Sequence, residues 1–258
     1  MINIAKLSGG RDSTAMVFHM LENGMPLDYI IFSDTQQEFP EMYVYLERVR
    51  LRLAEYGKEL TVLGHKRGDT FEDWVFGTLK RGKLQGHVRG LQNTIQKCYW
   101  QRESKSAPVD AWLKRHVDEP YTLYIGYTYS ERKRASANTA TNQRYPLIEG
   151  RMCEADVDAL LTRIDLVNPL YEMFERTGCA MCPYQKTRGY YLLWAKFPEI
   201  WRWMRDIEHR LFELEDSGQP VINSQWNIRY TLSEMEYAFD SGEVLFDVEA
   251  PKACECAI

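Results

Sequence analysis

The sequence Leu7-Ser8-Gly9-Gly10-Arg11-Asp12-Ser13-Thr14 follows a short apolar run and precedes apolar residues at helical spacing. This order predicts a strand, a glycine turn and the start of a helix. Two adjacent glycines allow the backbone to turn tightly and to bring its N–H groups close to an anion. A helix N-terminus adds partial positive charge. The stretch therefore predicts a phosphate-binding turn, although a capped turn without a ligand has the same pattern.

The side chains of this turn limit which kind of phosphate-binding loop it can be. The spacing of a Walker A loop is missing. Ser8, Ser13 and Thr14 supply hydroxyl donors, and Ser13 has no His or Asp partner in a recognisable nucleophile arrangement, so we interpret it as a phosphate ligand. A carboxylate such as Asp12 repels a polyphosphate unless a cation such as Mg²⁺ lies between them. The alternative is that Asp12 only caps the helix.

Strand and helix signals alternate along the first half of the chain. Apolar runs predict further strands at residues 27–32, 60–63, 121–126 and 145–148, and Pro40 suits the first turn of a helix. This alternation predicts an α/β fold with a doubly wound, mostly parallel sheet. Ligands of such sheets lie at the carboxyl ends of the strands. The glycine turn and Ser33-Asp34-Thr35 both follow predicted strands, so we expect them to share one nucleotide.

Composition sets broader limits. The 258-residue chain has a net charge of −5 with scattered Lys and Arg, which gives no global basic field for nucleic acid. No apolar run is long enough to span a membrane and no leader opens the chain, so we expect a cytoplasmic protein without a membrane partner. We expect a nucleotide-binding α/β domain at 1–150, a helical cysteine-containing part at 151–215 and a C-terminal extension at 216–258.

The motifs resemble those of a known superfamily. The loop matches S-G-G-x-D-S, the signature of PP-loop ATP pyrophosphatases, which share an adenine nucleotide alpha-hydrolase fold with phosphoadenosine-phosphosulfate (PAPS) reductases. The resemblance continues in order over residues 2–205 and extends to small PAPS-reductase-like proteins of bacteriophages and prophages. The further matching stretches are residues 34–41, 89–113, 126–134, 168–171 and 178–183.

The resemblance implies a nucleotide site. ATP, or alternatively PAPS or adenylyl sulfate (APS), would lie with its adenine and ribose against the backbone around Lys6-Leu7 and Phe32-Ser33. Asp12 and Asp34 would position Mg²⁺. The loop that begins at Gly126 would bring Arg132 and Arg134 to the phosphates, although Tyr127 and Thr128 stand where the family usually has an Arg. The alternative for these cations is a solvated loop.

The six cysteines indicate metal or redox chemistry rather than structural disulfides. Cys179 and Cys182 form one C-x-x-C, which suits Zn²⁺ or an iron–sulfur cluster. Cys98 is placed like an upstream cluster ligand of sulfonucleotide reductases, and three such cysteines resemble the [4Fe–4S] sites of PP-loop tRNA thiolation enzymes. A fourth ligand (Cys153, Cys254 or Cys256), zinc and a redox disulfide remain open.

The end of the chain carries one more candidate. Glu255-Cys256 matches part of the Glu-Cys-Gly-x-His tail of PAPS and APS reductases, in which the cysteine attacks the sulfate sulfur, but the Gly and His are absent. Cys256 is therefore a candidate catalytic thiol, and a tail without function is the alternative.

The leading hypothesis is a PP-loop enzyme that cleaves ATP at the α-phosphate and adenylates an acceptor in sulfur-transfer chemistry. One alternative is PAPS or APS reduction through Cys256. Another is a non-catalytic nucleotide- or cluster-binding subunit of a nucleic-acid modification or defence complex. The acceptor is unknown, with nucleic acid as one candidate through the basic residues at 80–83 and 132–134. An oligomer is compatible with the sequence.

Overall fold

The computed structural model describes residues 1–65, 69–92, 98–175 and 177–242. The chain divides into two compact units, each built from separate stretches of sequence. The α/β unit comprises Met1–Asp34, Glu38–Gly64 and Ser104–Gly178. The helical unit comprises Thr35–Gln37, His65–Glu103 and Cys179–Ile258. These units do not follow the ranges 1–150, 151–215 and 216–258, and that consecutive division stays a prediction.

The α/β unit contains a five-stranded sheet in which every pair of neighbours is parallel. The strands are β1 (Ile2–Leu7), β2 (Tyr29–Ser33), β3 (Leu60–Leu63), β4 (Tyr121–Tyr124) and β5 (Gln143–Arg144). Their order is β3-β2-β1-β4-β5, so β1 pairs with β2 on one side and with β4 on the other. This confirms the doubly wound α/β fold, and it makes the carboxyl end of β1 a topological switch point.

Helices follow the strands in the order that the sequence predicts. In chain order they are α1 (Arg11–Glu22), α2 (Pro40–Glu55), α3 (Phe71–Phe76), α4 (Tyr99–Gln101), a π-helical turn (Arg102–Ser106), α5 (Ala107–His116), a 3₁₀ turn (Tyr129–Glu131), α6 (Arg132–Ser136), α7 (Pro146–Glu149), α8 (Glu154–Arg163), a 3₁₀ turn (Pro169–Glu172), α9 (Thr187–Lys196), α10 (Pro198–Asp216) and α11 (Leu232–Asp240). The described residues contain no helix that is long and apolar enough to cross a membrane.

The prediction of a strand at 145–148 is wrong. That stretch forms α7, and the strand lies just before it, at β5. Pro146 explains the difference, because a proline has no N–H to donate to a strand ladder and its fixed φ suits the first turn of a helix. Leu147 is fully buried, so the apolar signal was read correctly and the type of element was not.

Apolar faces of the helices fix the core of the α/β unit. Ile4 of β1 and Ile31 of β2 pack in one cluster with Val109, Trp112 and Leu113 of α5. The buried side of α1 begins at its first turn, and the helix ends at Glu22 with Asn23 as its C-cap. The residues at its two ends, Gly10 and Asn23, set the limits of α1. The packed helix therefore holds the glycine turn that precedes it in place.

The helical unit is packed around long aromatic side chains. The apolar face of α10 is buried at Trp201, Met204, Ile207 and Leu211. Phe71 of α3 contacts the rings of several tryptophans, namely Trp74, Trp100, Trp203 and Trp226. Much of the aromatic content of the chain is thereby used as core.

One carboxyl group is buried in this core. Glu208 of α10 is 3% exposed, and it accepts hydrogen bonds from the backbone N–H groups of Trp226 (3.2 Å) and Leu232 (2.7 Å). Burial raises its pKa to about 7, and the two backbone donors only partly oppose that rise. Glu208 therefore ties the start of α11 to α10 while holding a proton at mildly acidic pH.

We expect the free energy of unfolding to fall as the pH rises from 4.5, the ordinary pKa of a glutamate, to about 7. Over this interval the folded protein retains a proton on Glu208 that the unfolded chain has released. The stabilising contribution is complete below pH 4.5 and is lost above about pH 7. Its size is on the order of 3 kcal/mol.

The measurement is urea denaturation across this pH range for the natural protein and for Glu208→Gln. The glutamine preserves the size of the side chain but does not titrate, so the variant should lack most of the pH dependence. Identical slopes for the two proteins would show that Glu208 does not titrate in this range.

Candidate functional site

The glycine turn after β1 has a conformation that only glycine supplies easily. Gly9 has φ +75°, and a Cβ at this position would lie 2.5 Å from Sδ of Met42 on α2. Gly10 is the N-cap residue of α1 and has no side chain to bond the first turn of the helix. Helix α2 therefore packs closely against one side of the turn. At Gly10 the turn has no side chain of its own that covers the backbone.

The hydroxyl groups of the turn bond the turn itself. The Ser8 N–H donates to Ser13 Oγ (3.1 Å), the hydroxyls of these two serines lie 2.9 Å apart, and Ser13 Oγ donates to Gly10 O (3.0 Å). Thr14 Oγ1 donates to the same carbonyl (3.0 Å). The hydroxyls therefore hold the shape of the turn. Their role as phosphate donors stays a prediction.

A distant segment braces the turn. The buried Asn168 donates from Nδ2 to Gly9 O (3.0 Å), and the Arg11 N–H donates to the hydroxyl of Tyr171 (2.9 Å). Asn168 Oδ1 also accepts from the Leu170 N–H (3.0 Å), which fixes the amide. These bracing residues were missed as site residues, and the only sequence signal was their place in the family-like stretch at 168–171.

The first turn of α1 offers donors to an anion. The N–H groups in the first turn of a helix have no acceptor within the helix. At Arg11 the hydroxyl of Tyr171 satisfies this donor. A neutral hydroxyl is a weaker acceptor than a phosphate oxygen, so Tyr171 is a partner that an incoming phosphate can replace. The N–H groups of Asp12 and Ser13 follow in the same turn.

One guanidinium at this turn faces two carboxylates. Arg11 Nε lies 3.2 Å from Asp12 Oδ1, and Arg11 Nη1 lies 3.3 Å from a carboxylate oxygen of Asp158 on α8. Burial raises the pKa of Asp12, while the adjacent guanidinium lowers it. After β4, Gly126 approaches so closely that a Cβ there would lie 2.8 Å from Asp12 O. The predicted site residues Asp12 and Gly126 are therefore brought together.

Two lysines lie close together near the carboxyl ends of β1 and β2. Burial lowers the pKa of Lys6, the carboxylate of Asp110 raises it, and the charge of Lys105 lowers it further. The carbonyl of Lys105 accepts a bond from Ser33 Oγ (3.4 Å), which places this lysine beside the end of β2. The carboxylate of Asp110 thus supplies the opposite charge that acts on Lys6. Lys105 was not among the predicted site residues.

The predicted cations after β4 have partners on their own segment. Arg134 Nη1 donates to Glu131 Oε1 (3.1 Å), and its guanidinium lies 4.6 Å from the ring centroid of Tyr127. Arg132 lies over the ring of Tyr129 at 4.9 Å. Both residues are thus bound into the local turn, and a role in phosphate binding stays a prediction for each.

The predicted Mg²⁺ ligands are placed at two turns. Asp34 follows β2, and its Oδ1 accepts from the hydroxyl of Tyr43 (2.9 Å), while Asp12 follows β1. Among the residues that the structure describes, no three or more His, Cys, Asp or Glu side chains form a group that could hold a metal ion. Magnesium binding at these two carboxylates therefore stays a prediction.

The predicted cysteine ligands lie in the helical unit. Cys179 Sγ lies 3.4 Å from Thr35 Oγ1, and the Cys182 N–H donates to Cys179 O (3.0 Å), which closes the C-x-x-C into a turn. Cys98 precedes α4, whose Trp100 donates from Nε1 to Thr35 O (2.9 Å). Over the described ranges these three cysteines form no metal-binding group, so the cluster and zinc alternatives stay predictions.

The remaining cysteines are accounted for separately. Cys153 is exposed at the N-cap of α8, where its N–H donates to Asp156 Oδ2 (2.8 Å), and its role as a fourth metal ligand stays a prediction. Cys254 and the predicted catalytic Cys256 lie outside the described residues.

Comparison with known proteins gives a family match. The model of the phosphoadenosine phosphosulfate reductase domain matches residues 3–185, from β1 past Cys182. A structure of phosphoadenylyl-sulfate (PAPS) reductase from Candida auris in a phosphate complex is 18% identical, with 67% of this chain and 77% of that chain covered and a TM-score of 0.47. The U34-tRNA thiolase NcsA from Methanococcus maripaludis with its [4Fe-4S] cluster is 13% identical, with 99% and 78% covered and a TM-score of 0.40. No curated protein matches the chain.

We expect Asn168→Ala to lower the free energy of unfolding by about 1–3 kcal/mol, because the carbonyl of Gly9 loses its buried donor and the Leu170 N–H loses its buried acceptor. A matched control is Asn23→Ala, which removes an exposed amide bond to His19 O (2.8 Å) and should lower stability less. The measurement is urea denaturation of both variants. If both variants lose the same free energy of unfolding, the buried bond to Gly9 contributes no more to stability than an exposed amide bond.

Proposed function

This chain belongs to the phosphoadenosine phosphosulfate reductase domain family, and on that premise we propose that it is an enzyme acting on an adenine nucleotide. The nucleotide is ATP, bound with its phosphates at the glycine turn. The enzyme cleaves ATP at the α-phosphate and adenylates an acceptor, which prepares that acceptor for sulfur transfer. The acceptor is the part of this proposal that the site residues do not specify.

The position of the glycine turn is the observation that supports this proposal most strongly. The turn lies at the carboxyl end of β1, between the pairings with β2 and β4, and leads into the twelve-residue helix α1. Ligands of doubly wound sheets bind at such switch points. Anions bind where backbone N–H groups and the helix dipole point in the same direction. Both conditions hold at the same five residues, Gly9 to Ser13.

Cleavage of ATP at the α-phosphate requires that the phosphates be positioned and their charge neutralised. The acceptor oxygen attacks the α-phosphorus, the bond to the bridging oxygen breaks, and pyrophosphate leaves. The N–H groups of the turn orient the phosphates, and Lys6 and Lys105 offset negative charge near the ends of β1 and β2. Proximity of the acceptor to the α-phosphorus supplies the rest of the rate.

Magnesium fits the donor set of the proposed site. Asp12 is a half-buried carboxylate beside a phosphate-binding turn, and carboxylate oxygens are the protein ligands that Mg²⁺ takes together with phosphates. Asp12 and Asp34 would hold the ion, which would neutralise phosphate charge.

A second candidate is reduction of PAPS or APS, which the description of the family favours. In that reaction the thiolate of Cys256 would attack the sulfate sulfur, and the nucleotide would leave. A third candidate is a subunit that binds the nucleotide without turnover. The three differ in which nucleotide binds most tightly and in what is released.

We expect Gly10→Ala to weaken ATP binding about tenfold or more, a difference of about 1.4 kcal/mol. The new methyl group would lie 3.3 Å from Tyr171 OH, within the space that the phosphates require, and the extended backbone of Gly10 accepts alanine without strain. The measurement is isothermal titration calorimetry with ATP, PAPS and APS, each with and without Mg²⁺. Gly178→Ala is the matched control, because a Cβ there meets nothing within 4 Å.

The results separate the candidates. Tightest binding of ATP with Mg²⁺, lost in Gly10→Ala and kept in Gly178→Ala, would support ATP as the nucleotide. Release of pyrophosphate from ATP would then separate an enzyme from a subunit that only binds. Tightest binding of PAPS or APS, with release of sulfite in the presence of a thiol reductant, would favour the reductase. If Gly10→Ala binds every nucleotide as well as the natural protein, the glycine turn is not the phosphate site.

A further inference from the structure

A basic loop in the helical unit is not used by the proposed reaction. The basic loop consists of residues 77–90. It lies within the segment 74–102, which contains six Lys and Arg residues and no Asp or Glu, in a chain whose net charge is −5. Positive charge is therefore concentrated in this segment, although the protein as a whole is acidic.

The conformation of the basic loop is fixed by its backbone. The Leu79 N–H donates to His87 O (2.9 Å), and the Gly86 N–H donates back to Leu79 O (2.8 Å), so the two limbs of the loop are joined. At its base the Arg89 N–H donates to Gly77 O (3.0 Å). The residues between positions 79 and 86 are thus held out as an ordered tip.

A second segment of the helical unit supports the basic loop from the side. The Val88 N–H donates to Pro220 O (2.8 Å), and Gln219 Nε2 donates to Gly86 O (3.1 Å). A glycine at position 86 with φ +85° and another at position 82 with φ +88° allow the tip to turn. The order of the tip does not depend on its charged side chains, which leaves those side chains available to a partner.

Three cations occupy this tip. Lys80, Arg81 and Lys83 are exposed, and within the described ranges none of them takes part in an ion pair. Arg89 at the base differs, because it donates to Trp74 O (3.1 Å) and lies over the Trp74 ring at 5.6 Å. Arg89 is therefore part of the fold, and the three tip cations are a surface.

We propose that the tip of the basic loop binds the phosphate backbone of a nucleic acid. Three like charges within four residues repel one another in the free protein, and a polyanion removes that repulsion while releasing its own counterions. A bilayer fits less well, since membrane-surface segments insert several apolar side chains and Leu84 is the one large apolar residue exposed on the tip.

This inference is independent of the proposed reaction. A nucleic acid bound here is a partner even if the chain does not adenylate it, and failure of the inference leaves ATP binding at the glycine turn untouched. If both hold, a nucleic acid is the first acceptor to test in the adenylation reaction. The contacts are to phosphate and carry no sequence preference of their own.

The salt dependence of binding is a quantitative consequence. Each phosphate contact by a cation contributes about −0.9 to the slope of log K against log salt on duplex DNA, and about −0.7 on single strands. Three contacts therefore contribute about −2 to −3. Removal of the three tip cations should remove this part of the slope and leave any part due to other residues.

The experiment is fluorescence anisotropy with labelled single-stranded and duplex DNA and RNA over a series of salt concentrations. The test variant is Lys80→Gln, Arg81→Gln and Lys83→Gln together. The control variant is Lys114→Gln, Arg188→Gln and Lys196→Gln together, which removes two lysines and one arginine that are also exposed but lie apart. Both variants keep the backbone of the basic loop, and thermal denaturation checks that both fold.

We expect the natural protein and the control to bind with a steep salt slope, and the test variant to bind at least tenfold more weakly at low salt with a slope smaller by about 2 to 3. Three results would overturn the inference. They are the absence of nucleic-acid binding by the natural protein at low salt, equal affinities for the test and control variants, and binding of anionic phospholipid vesicles without binding of any oligonucleotide.

Discussion

The parallel pairing of β1 with both β2 and β4 is the constraint on which the candidate site depends. It places the carboxyl end of β1 at the point where the order of strands reverses, and the chain must leave the sheet there. Gly9 and Gly10 let it leave in a turn tight enough for α1 to start at once. Four features of one short stretch therefore coincide: a strand end, a glycine turn, a helix N-terminus and a set of backbone donors.

The turn is held in place from elsewhere in the α/β unit. Asn168 bonds the carbonyl of Gly9, Tyr171 bonds the N–H of Arg11, and Gly126 packs against Asp12. Each contact fixes backbone rather than a side chain that moves freely. A site that is shaped before its ligand arrives loses less entropy on binding, and it is suited to a reaction in which the protein mainly positions phosphates.

Local patterns carried most of what could be predicted from the sequence. The glycine turn, the start of α1 and the first turn of α2 at Pro40 follow from residues a few positions apart, and the structure confirms them. The helix at Pro146 was predicted as a strand, because a short apolar run does not distinguish the two types of element. The bond between Asn168 and Gly9 joins residues that are 159 positions apart through a single amide. The spacing of apolar residues along the sequence does not predict such a contact. Lys105 was missed for the same reason, because only the folded chain brings its charge to act on Lys6.

A crystal structure with a non-hydrolysable ATP analogue and Mg²⁺ tests the central claim most directly. We expect phosphate oxygens within hydrogen-bond distance of the backbone N–H groups between Gly9 and Ser13. We also expect the Arg11 N–H to exchange the hydroxyl of Tyr171 for one of these oxygens. A nucleotide bound away from the turn, with the bond between Arg11 and Tyr171 intact, would show that the glycine turn is not the phosphate site.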